Sequence, residues 1–356
     1  MKESKIRVGI RGVAGLLGSR IAAAIQRTND IKLEVGVVLP DRTLETLLNR
    51  RQFLPQFQCA LPKQLFVQVP NHTGGESEIV RQLNARGQVR FQGVSQLSWR
   101  KSCDVIIDNA YPAGKEVVEE QYRAFPGIVI LQDGAAPEGR LIVPPLTAPD
   151  AGQGNRYRMG DCILSGLVPL LYPLRDIAKT VRVHLLTQFD GRESDYLITE
   201  RAHAFYVRDD LRVKVTKDLG VLFPDQEIDV EAVIQIPSLL HYQLTLSVEL
   251  REAINHNDLR YRLGTMPRVR LVPSGVTSTY DVNLARSFSD EIPPIVVFES
   301  SLEPGVGASS MVRIVAALYY RTAAVLPNLD SIRILAQGMD PIEAMRQTDR
   351  DMGFKT

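Results

Sequence analysis

The segment KIRVGIRGVAGLLGSRIAAAIQR, residues 5–27, decides the fold class. Residues 5–10 are mostly apolar, as in a buried strand, and residues 19–27 have the apolar spacing of a helix. The pattern G-x-x-G-x-x-G lies between them, at residues 12–18. Glycines at this place permit a tight turn and let the backbone approach a pyrophosphate at the helix N-terminus. The segment therefore predicts a dinucleotide-binding unit at the start of the chain.

The predicted cofactor-binding residues lie at the carboxyl ends of three strands. Asp41 could accept hydrogen bonds from a ribose 2′-hydroxyl, as in NAD enzymes, and Arg42 could pair with a 2′-phosphate, as in NADP enzymes. Because these two residues argue for different cofactors, NAD and NADP both stay open. Asn109 and Ala110 follow a later strand, at the edge of the sheet where such folds place the nicotinamide. The loop itself contributes Gly12, Val13, Ala14, Gly15, Leu16, Leu17 and Gly18.

Strand-like and helix-like segments alternate over roughly the first 150 residues, which predicts a parallel, doubly wound sheet. The predicted strands after the first are residues 32–39, 65–70, 104–108 and 127–131. After residue 155 the pattern changes. Residues 161–178 are apolar at helical spacing, and long alternating stretches follow at 181–187, 232–236, 239–250, 268–271 and 295–299.

The longest alternating stretch contains LHYQLTLSVEL, residues 240–250. Successive side chains of a strand point to opposite faces, so Leu244 and Leu246 share one face while His241 and Gln243 share the other. One apolar and one polar face are typical of an antiparallel sheet. Residues 311–324 and 340–352 are predicted as helices. The fold class is α/β: a Rossmann-type nucleotide-binding domain plus an α+β catalytic domain with a mainly antiparallel sheet.

Composition favours chemistry on small molecules. The chain has 356 residues, enough for two domains. Lys and Arg total 42 and Asp and Glu total 41, so no basic field attracts nucleic acid or an anionic membrane surface. The three cysteines fit neither a disulfide framework nor a metal site, which predicts a reducing compartment. Without a signal peptide or a long apolar run, we expect a cytoplasmic protein.

Cys162 is the candidate nucleophile. Asp161 is a plausible N-cap that would place this cysteine in the first turn of a helix. Helix-terminal N–H groups and the helix dipole favour the thiolate and lower the thiol pKa, and the same N–H groups could hold an oxyanion. An isolated cysteine is also commonly a small buried apolar residue. The candidate base, His241, is equally compatible with a satisfied surface or interface histidine.

Several segments in collinear order resemble the archaeal-type (type II) glyceraldehyde-3-phosphate dehydrogenases. DCILSGL, residues 161–167, resembles the family's S-C-N-T-T-G-L around its nucleophile. IPSLLHYQLTLSVEL, residues 236–250, resembles its P-T-T-L-M-H-x-H strand. LPNLDSIRIL, residues 326–335, resembles its P-E-N-I-D-A-I-R-A. Further matches are TMPRVRLV at 265–272, DEIPPIVVFESSL at 290–302 and RQTDRDMGF at 346–354.

The resemblance implies a nucleotide-binding domain of residues 1–161 and 320–356, a catalytic domain of residues 162–319, and a homotetramer or homodimer. It implies that Cys162 forms a hemithioacetal with an aldehyde, which becomes a thioester as hydride passes to NAD or NADP. The histidine base of the family comes from its H-x-H strand, which matches His241 and Gln243. If the first histidine is the base, His241 inherits the role; if the second, Gln243 occupies its place and His241 must reach from two residues away. Residues near the substrate would be Asp161, Ile163, Ser165, Arg192 and Gln243.

The chain departs from the family where the family holds phosphate. Ile163 replaces the asparagine after the cysteine, and Leu164 and Ser165 replace two threonines. The arginine pair that grips the substrate phosphate aligns with about residues 186–188, LTQ. Losing two guanidinium groups removes charge-assisted hydrogen bonds of roughly 1.5–3 kcal/mol each. Arg192 and Arg201 are nearby candidates to substitute for them.

Four interpretations stay open on the sequence. The leading one is an NAD(P)-dependent aldehyde dehydrogenase or reductase with an altered substrate. The second is a true phosphorylating glyceraldehyde-3-phosphate dehydrogenase with rebuilt phosphate sites, and the third is a dehydrogenase of the aspartate-semialdehyde kind. The fourth is a non-catalytic nucleotide-binding subunit or sensor, which the altered neighbours of Cys162 would suit.

Overall fold

A computed structural model describes the parts of the chain on which the following sections rest. They are residues 5–13, 15–38, 64–68, 80–81, 90–94, 97–109, 120, 122–132, 139–149, 154–188, 205–236, 241–276, 278–279, 294–302 and 310–354. Among these residues, no helix combines the length and the apolar character needed to span a bilayer.

The chain divides into two compact units, and neither is continuous in sequence. The first unit contains Met1–Ile142, Pro149–Asp161 and Val325–Asp340. The second contains Val143–Ala148, Cys162–Ala324 and Pro341–Thr356. This division differs from the predicted one mainly at the C-terminus, because the last helix belongs to the second unit. A buried ion pair ties that helix in place: Arg268 Nε lies 3.1 Å from Asp349 Oδ1.

Within the described ranges, the first sheet has nine strands, in the order β4-β3-β2-β1-β5-β6-β9-β7-β8. Its pairs β1–β2, β2–β3, β3–β4, β1–β5, β5–β6, β6–β9 and β7–β9 are all parallel. The strands are β1 (Ile6–Arg11), β2 (Ile31–Val38), β3 (Gln64–Gln68), β4 (Arg90–Val94), β5 (Val105–Asp108), β6 (Ile128–Leu131), β7 (Arg140–Val143), β8 (Leu146–Thr147) and β9 (Arg156–Met159). Helix α1 (Leu16–Ile25) follows β1.

The direction in which successive strands are added to the first sheet reverses between β1 and β5. It adds β2, β3 and β4 on one side of β1 and then returns to place β5 on the other side. The central strands are buried on both faces, as parallel strands covered by helices are; all four residues of β5 are buried. In open α/β sheets the crevice at such a reversal, outside the carboxyl ends of the strands, is where ligands bind.

The second sheet has seven strands in the part of the chain that the structure describes, in the order β11-β12-β10-β13-β16-β15-β14. Four of its six strand pairs are antiparallel, as predicted, and β10–β12 and β14–β15 are parallel. The strands are β10 (Ala178–Gln188), β11 (Tyr206–Val207), β12 (Glu227–Ile236), β13 (Tyr242–Leu250), β14 (Val269–Val272), β15 (Ile295–Phe298) and β16 (Met311–Leu318).

The remaining α-helices of the described residues are α2 (Cys162–Leu171), α3 (Asp209–Leu222), α4 (His256–Gly264), α5 (Tyr320–Gln337) and α6 (Pro341–Met352). Short 3-10 helices span Leu97–Ser102, Tyr172–Leu174 and Glu299–Ser301. The predicted helix over residues 161–178 is therefore shorter, because Pro173 cannot continue the α-helical hydrogen bonding. The predicted helix over residues 311–324 is wrong in its first half, which is β16.

The two predicted faces of β13 are present. Leu244, Leu246, Val248 and Leu250 are at most 2% exposed, while the side chains between them are half-buried. The fold class predicted from the sequence is confirmed: a parallel, doubly wound sheet accompanied by a mainly antiparallel one.

Candidate active site

The glycine loop follows β1 at the reversal point of the first sheet. Gly12 has a φ of 77°, a conformation that only glycine adopts without strain. Its N–H and that of Val13 both donate to the carbonyl of Val37, which fixes the loop against the end of β2. A Cβ at Gly18 would lie 2.9 Å from the Cα of Val13 and even closer to the Gly12 carbonyl. The loop and the first turn of α1 thus approach each other as only glycine allows.

The N-terminus of α1 carries no side-chain cap. Its N-cap is Gly15, which makes no side-chain hydrogen bond, and no acidic residue lies in the first turn. The first N–H groups of a helix have no partner within the helix, so they suit the oxygen atoms of an anion. Leu16 and Leu17 begin this turn. Ala14 lies outside the described residues.

Asn109 lies beside this loop, because β5 is the neighbour of β1 and Arg11 is in register with Asp108. The Asn109 N–H donates to the carbonyl of Arg11. Its side-chain Oδ1 is buried and has no hydrogen-bond partner among the described residues. A buried amide oxygen without a donor is costly, so this atom suits a donor group of a ligand. Ala110, Asp41 and Arg42 lie outside the described part of the chain.

A buried hydrogen-bond network, which the sequence did not predict, lies next to the crevice at the ends of β1 and β5. Arg11 is 2% exposed, and its Nη1 donates to both carboxylate oxygens of Asp108, at 3.0 and 2.9 Å. The Tyr122 hydroxyl donates to Asp108 Oδ2 at 2.9 Å. Burial and the adjacent Asp108 charge raise the pKa of Tyr122 well above its usual value, so the phenol stays a donor. The network ties the ends of β1 and β5 together.

Cys162 is the first residue of α2, and Asp161 directly precedes the helix, as predicted. The Cys162 side chain is half-buried and its Sγ lies 3.5 Å from the hydroxyl of Tyr242. Ile163 and Ser165, which the sequence placed near a substrate, are 4% and 7% exposed. Their side chains therefore pack inside the second unit.

His241 and Gln243 lie together in a cavity of about 600 Å³ in the second unit. Hydroxyl side chains of Ser278, Thr279, Ser300 and Ser301 also line it. The His241 ring lies 5.8 Å from the ring of Tyr319, centroid to centroid, at an angle of 48°. Tyr242, between the two predicted residues, points to the opposite face of β13 from Gln243 and contacts the sulfur of Cys162. Cys162 is not among the described residues that line the cavity.

The described strand residues at the expected phosphate grip carry no positive charge. Leu186 lines the cavity, and Thr187 is 2% exposed with its Oγ1 3.5 Å from the carbonyl of Ile234. Gln188 ends the strand β10. Arg192 and Arg201, the proposed substitutes, lie outside the described residues.

No family model matches the chain. Curated relatives match over nearly its whole length. Glyceraldehyde-3-phosphate dehydrogenase of Archaeoglobus fulgidus is 25% identical, with 98% of each chain covered. Those of Methanobacterium bryantii and Aeropyrum pernix are 24% and 23% identical, with 98% and 99% of this chain covered. The chain resembles archaeal glyceraldehyde-3-phosphate dehydrogenase. This agrees with the resemblance found in its motifs.

Solved structures with a similar fold are aspartate-semialdehyde dehydrogenases. The probable enzyme of Pseudomonas aeruginosa has a TM-score of 0.62 at 13% identity, covering 94% of this chain and 98% of its own. Aspartate semialdehyde dehydrogenase II of Vibrio cholerae, complexed with ASA, has a TM-score of 0.58 at 12% identity, covering 94% and 99%. These likenesses concern the fold.

Proposed function

We propose that the chain is an NAD(P)-dependent oxidoreductase that acts on an aldehyde or activated acyl group through a covalent bond to Cys162. The observation that carries the proposal is the position of this cysteine. It begins α2, with its sulfur half-buried against the Tyr242 hydroxyl. Curated relatives along the whole chain are dehydrogenases of an aldehyde, which supports the same chemistry.

The crevice between β1 and β5 fits a dinucleotide. The uncapped N-terminus of α1 suits the pyrophosphate, and the unpartnered Oδ1 of Asn109 suits a donor at the nicotinamide end. Asp41 and Arg42 are proposed to contact the ribose 2′ position. NAD+ or NADP+, when bound there, supplies the hydride acceptor that turns a hemithioacetal into a thioester.

The residues of the second unit are proposed to manage the covalent step. The Cys162 thiolate attacks the aldehyde carbon, and the carbonyl oxygen takes up a proton to give a neutral hemithioacetal. N–H groups in the first turn of α2 are proposed to stabilise the developing oxyanion. By the resemblance, His241 is proposed as the base that accepts the hydroxyl proton as the hemithioacetal is oxidised. This role requires its ring to reach the sulfur around the start of β13, because Tyr242 and Gln243 point to opposite faces of that strand. Gln243, in the same cavity, orients the substrate.

The decisive test uses a panel of aldehydes as substrates. Oxidation or reduction of the nicotinamide cofactor is measured by the change in the ultraviolet absorbance of the cofactor. Cys162→Ser should lower kcat/KM by at least ~10³-fold, because the serine hydroxyl is a far weaker nucleophile at neutral pH. Cys103→Ala is the matched control, since Cys103 is buried in the first unit. Equal activity of Cys162→Ser and the parent protein would exclude the covalent mechanism. No turnover of any aldehyde by the parent would favour the sensor interpretation.

The substrate is proposed to differ from glyceraldehyde 3-phosphate. By the resemblance, the family's arginine pair aligns with about residues 186–188. Leu186 lines a cavity with no lysine or arginine among its described lining residues, and Thr187 is buried. Two charge-assisted hydrogen bonds of roughly 1.5–3 kcal/mol each correspond to about a 10²–10⁴-fold preference for the phosphorylated substrate. We expect that preference to be lost. Comparing kcat/KM for glyceraldehyde 3-phosphate with that for glyceraldehyde measures it, and a 10²-fold preference would instead indicate rebuilt phosphate sites.

Assembly as a homotetramer or homodimer is part of the proposal and rests on the resemblance alone. Light scattering coupled to size-exclusion chromatography measures it. The odd number of cysteines supports a reducing compartment, the cytoplasm, as the site of action.

A further inference from the structure

Tyr242 and Cys162 are the pair from which a further role can be inferred. The Tyr242 hydroxyl lies 3.5 Å from the Cys162 Sγ. Tyr242 is 9% exposed and shares the face of β13 that carries Leu244 and Leu246. Its ring is therefore held by packing, so the hydroxyl has a fixed position from which to reach the sulfur.

A second contact, one helical turn away, holds α2 at this distance. Gly166 is four residues after Cys162, and residues four apart in a helix lie on the same face, about 5–6 Å apart. A Cβ at Gly166 would lie 2.6 Å from the Cδ2 of Leu318. With the Leu318 side chain in its present position, a residue larger than glycine at 166 would clash, so Gly166 permits this close approach of α2 to Leu318.

Two side chains of the second sheet have a spacing similar to that of Cys162 and Gly166 on α2. Tyr242 of β13 is in register with Leu318 of β16. Side chains of directly opposite residues in an antiparallel pair lie about 4.5–5.5 Å apart. Cys162 of α2 therefore packs on Tyr242, and Gly166 packs on Leu318. The distance between the two residues on the helix is similar to the distance between the two residues on the sheet.

We propose that Tyr242 is a positioning residue for Cys162: its phenol donates a hydrogen bond to the thiolate and fixes the sulfur for attack, at a distance set by Gly166. The protonated thiol donates to the phenol oxygen, and this is a weak bond. After the thiol proton has left to solvent, the phenol O–H donates to S⁻ and keeps its own proton. Hydrogen bonds with a charged partner are roughly twice as strong as neutral ones, so the contact favours the thiolate.

Three other titratable groups accompany this pair in the chain. Asp161 precedes Cys162, His241 precedes Tyr242, and Tyr319 follows Leu318 with its ring against His241. All three are retained in the variants below. A difference between parent and variant therefore reports the phenol.

The inference rests on the proposed function for its catalytic meaning, but its test needs no substrate. The rate of iodoacetamide alkylation of Cys162 is measured against pH in the full chain, by mass spectrometry of the peptide. Tyr242→Phe keeps the ring and removes the hydroxyl. We expect its alkylation at neutral pH to be about ten-fold slower, with the pH midpoint raised by about one unit. Tyr261→Phe removes a hydroxyl that is exposed on α4 and should leave the profile unchanged.

Gly166→Ala tests the spacing. Its methyl group collides with Leu318, so it should shift the profile in the same direction as Tyr242→Phe. Because both act on one contact, the double variant should match Tyr242→Phe alone. An unchanged profile in Tyr242→Phe overturns the role of the phenol, and additive effects overturn the role of Gly166. A parent with no dehydrogenase activity but a Tyr242-dependent profile would refute the proposed function and leave this inference standing.

Discussion

Two described cysteines show how strongly surroundings determine the chemistry of one side chain. Cys103 is 6% exposed and packs with Trp99 and Val35 in the core of the first unit. Burial raises the pKa of its thiol to about 11, because a low-dielectric surrounding disfavours the thiolate. Cys162 is half-buried at the start of a helix, next to a phenol.

We therefore expect selective alkylation. At neutral pH, iodoacetamide should modify Cys162 while Cys103 stays unmodified, since the thiolate is the reactive form. Peptide mass spectrometry over a time course measures both sites in one sample. Modification of Cys103 at a rate equal to that of Cys162 would contradict the assignment of Cys162 as the activated thiol.

The sequence identified Cys162 at a helix start, and it placed Gly12, Gly15 and Gly18 in a strand-to-helix loop. It did not identify Tyr242 or the buried Arg11–Asp108–Tyr122 network. The alternation of β13 put Tyr242 on the face of Leu244, where an aromatic residue is expected to be core. The sequence does not predict which helix terminus packs on that face, because this depends on the tertiary structure, here on the close approach of α2 at Gly166.

At the level of elements, β16 is the clearest error of the sequence prediction. Residues 311–324 contain several alanines, which favour a helix, and their apolar positions suit both periods. In the structure Val312, Ile314, Ala316 and Leu318 are buried, while Met311 and Arg313 are exposed. Residues 311–318 form a strand because they pair with β13 on one side and β15 on the other. Local propensity does not predict these pairings.

The loop before α1 provides a test at the same scale. Gly18→Ala should destabilise the protein by about 1–3 kcal/mol and weaken NAD(P) binding, because the new methyl group collides with the backbone of Gly12 and Val13. Gly220→Ala is the matched control: it lies in α3, and its Cβ would meet no atom within 4 Å. That change should stabilise by about 0.5–1 kcal/mol. Urea unfolding and cofactor titration measure both, and equal behaviour of the two variants would refute the collision.

At the scale of the whole molecule, an ion pair joins two distant parts of the first unit. Arg333 of α5 is fully buried, and its Nε and Nη2 donate to the Asp30 carboxylate at 2.8 and 2.7 Å. Burial raises the pKa of Asp30, but the hydrogen bonds and charge of Arg333 outweigh it and leave the pKa below its ordinary value of 3.8. A lowered pKa in the folded state stabilises the protein above 3.8, and this contribution is lost as the pH falls through the folded-state value.

Asp30→Asn should therefore cost about 1–3 kcal/mol near neutral pH, since it removes the negative charge that accepts two hydrogen bonds from the buried guanidinium. The difference from the parent should shrink as the pH falls below the ordinary carboxyl pKa. Urea unfolding at a series of pH values measures the free energy of unfolding for both proteins. A difference that stays constant down to the acid limit would show that the charge of Asp30 contributes nothing.

The division of the first unit has a consequence for how the protein is made. The segment Val325–Asp340 belongs to this unit, although residues 162–324 are synthesised before it. Until the ribosome has released that segment, Asp30 lacks Arg333, and Gln132 lacks Asn328, whose Oδ1 it otherwise contacts at 2.5 Å. At 5–20 residues per second, the 179 residues from 161 to 340 take roughly 10–40 s to translate. During that time the nascent first unit lacks the segment Val325–Asp340.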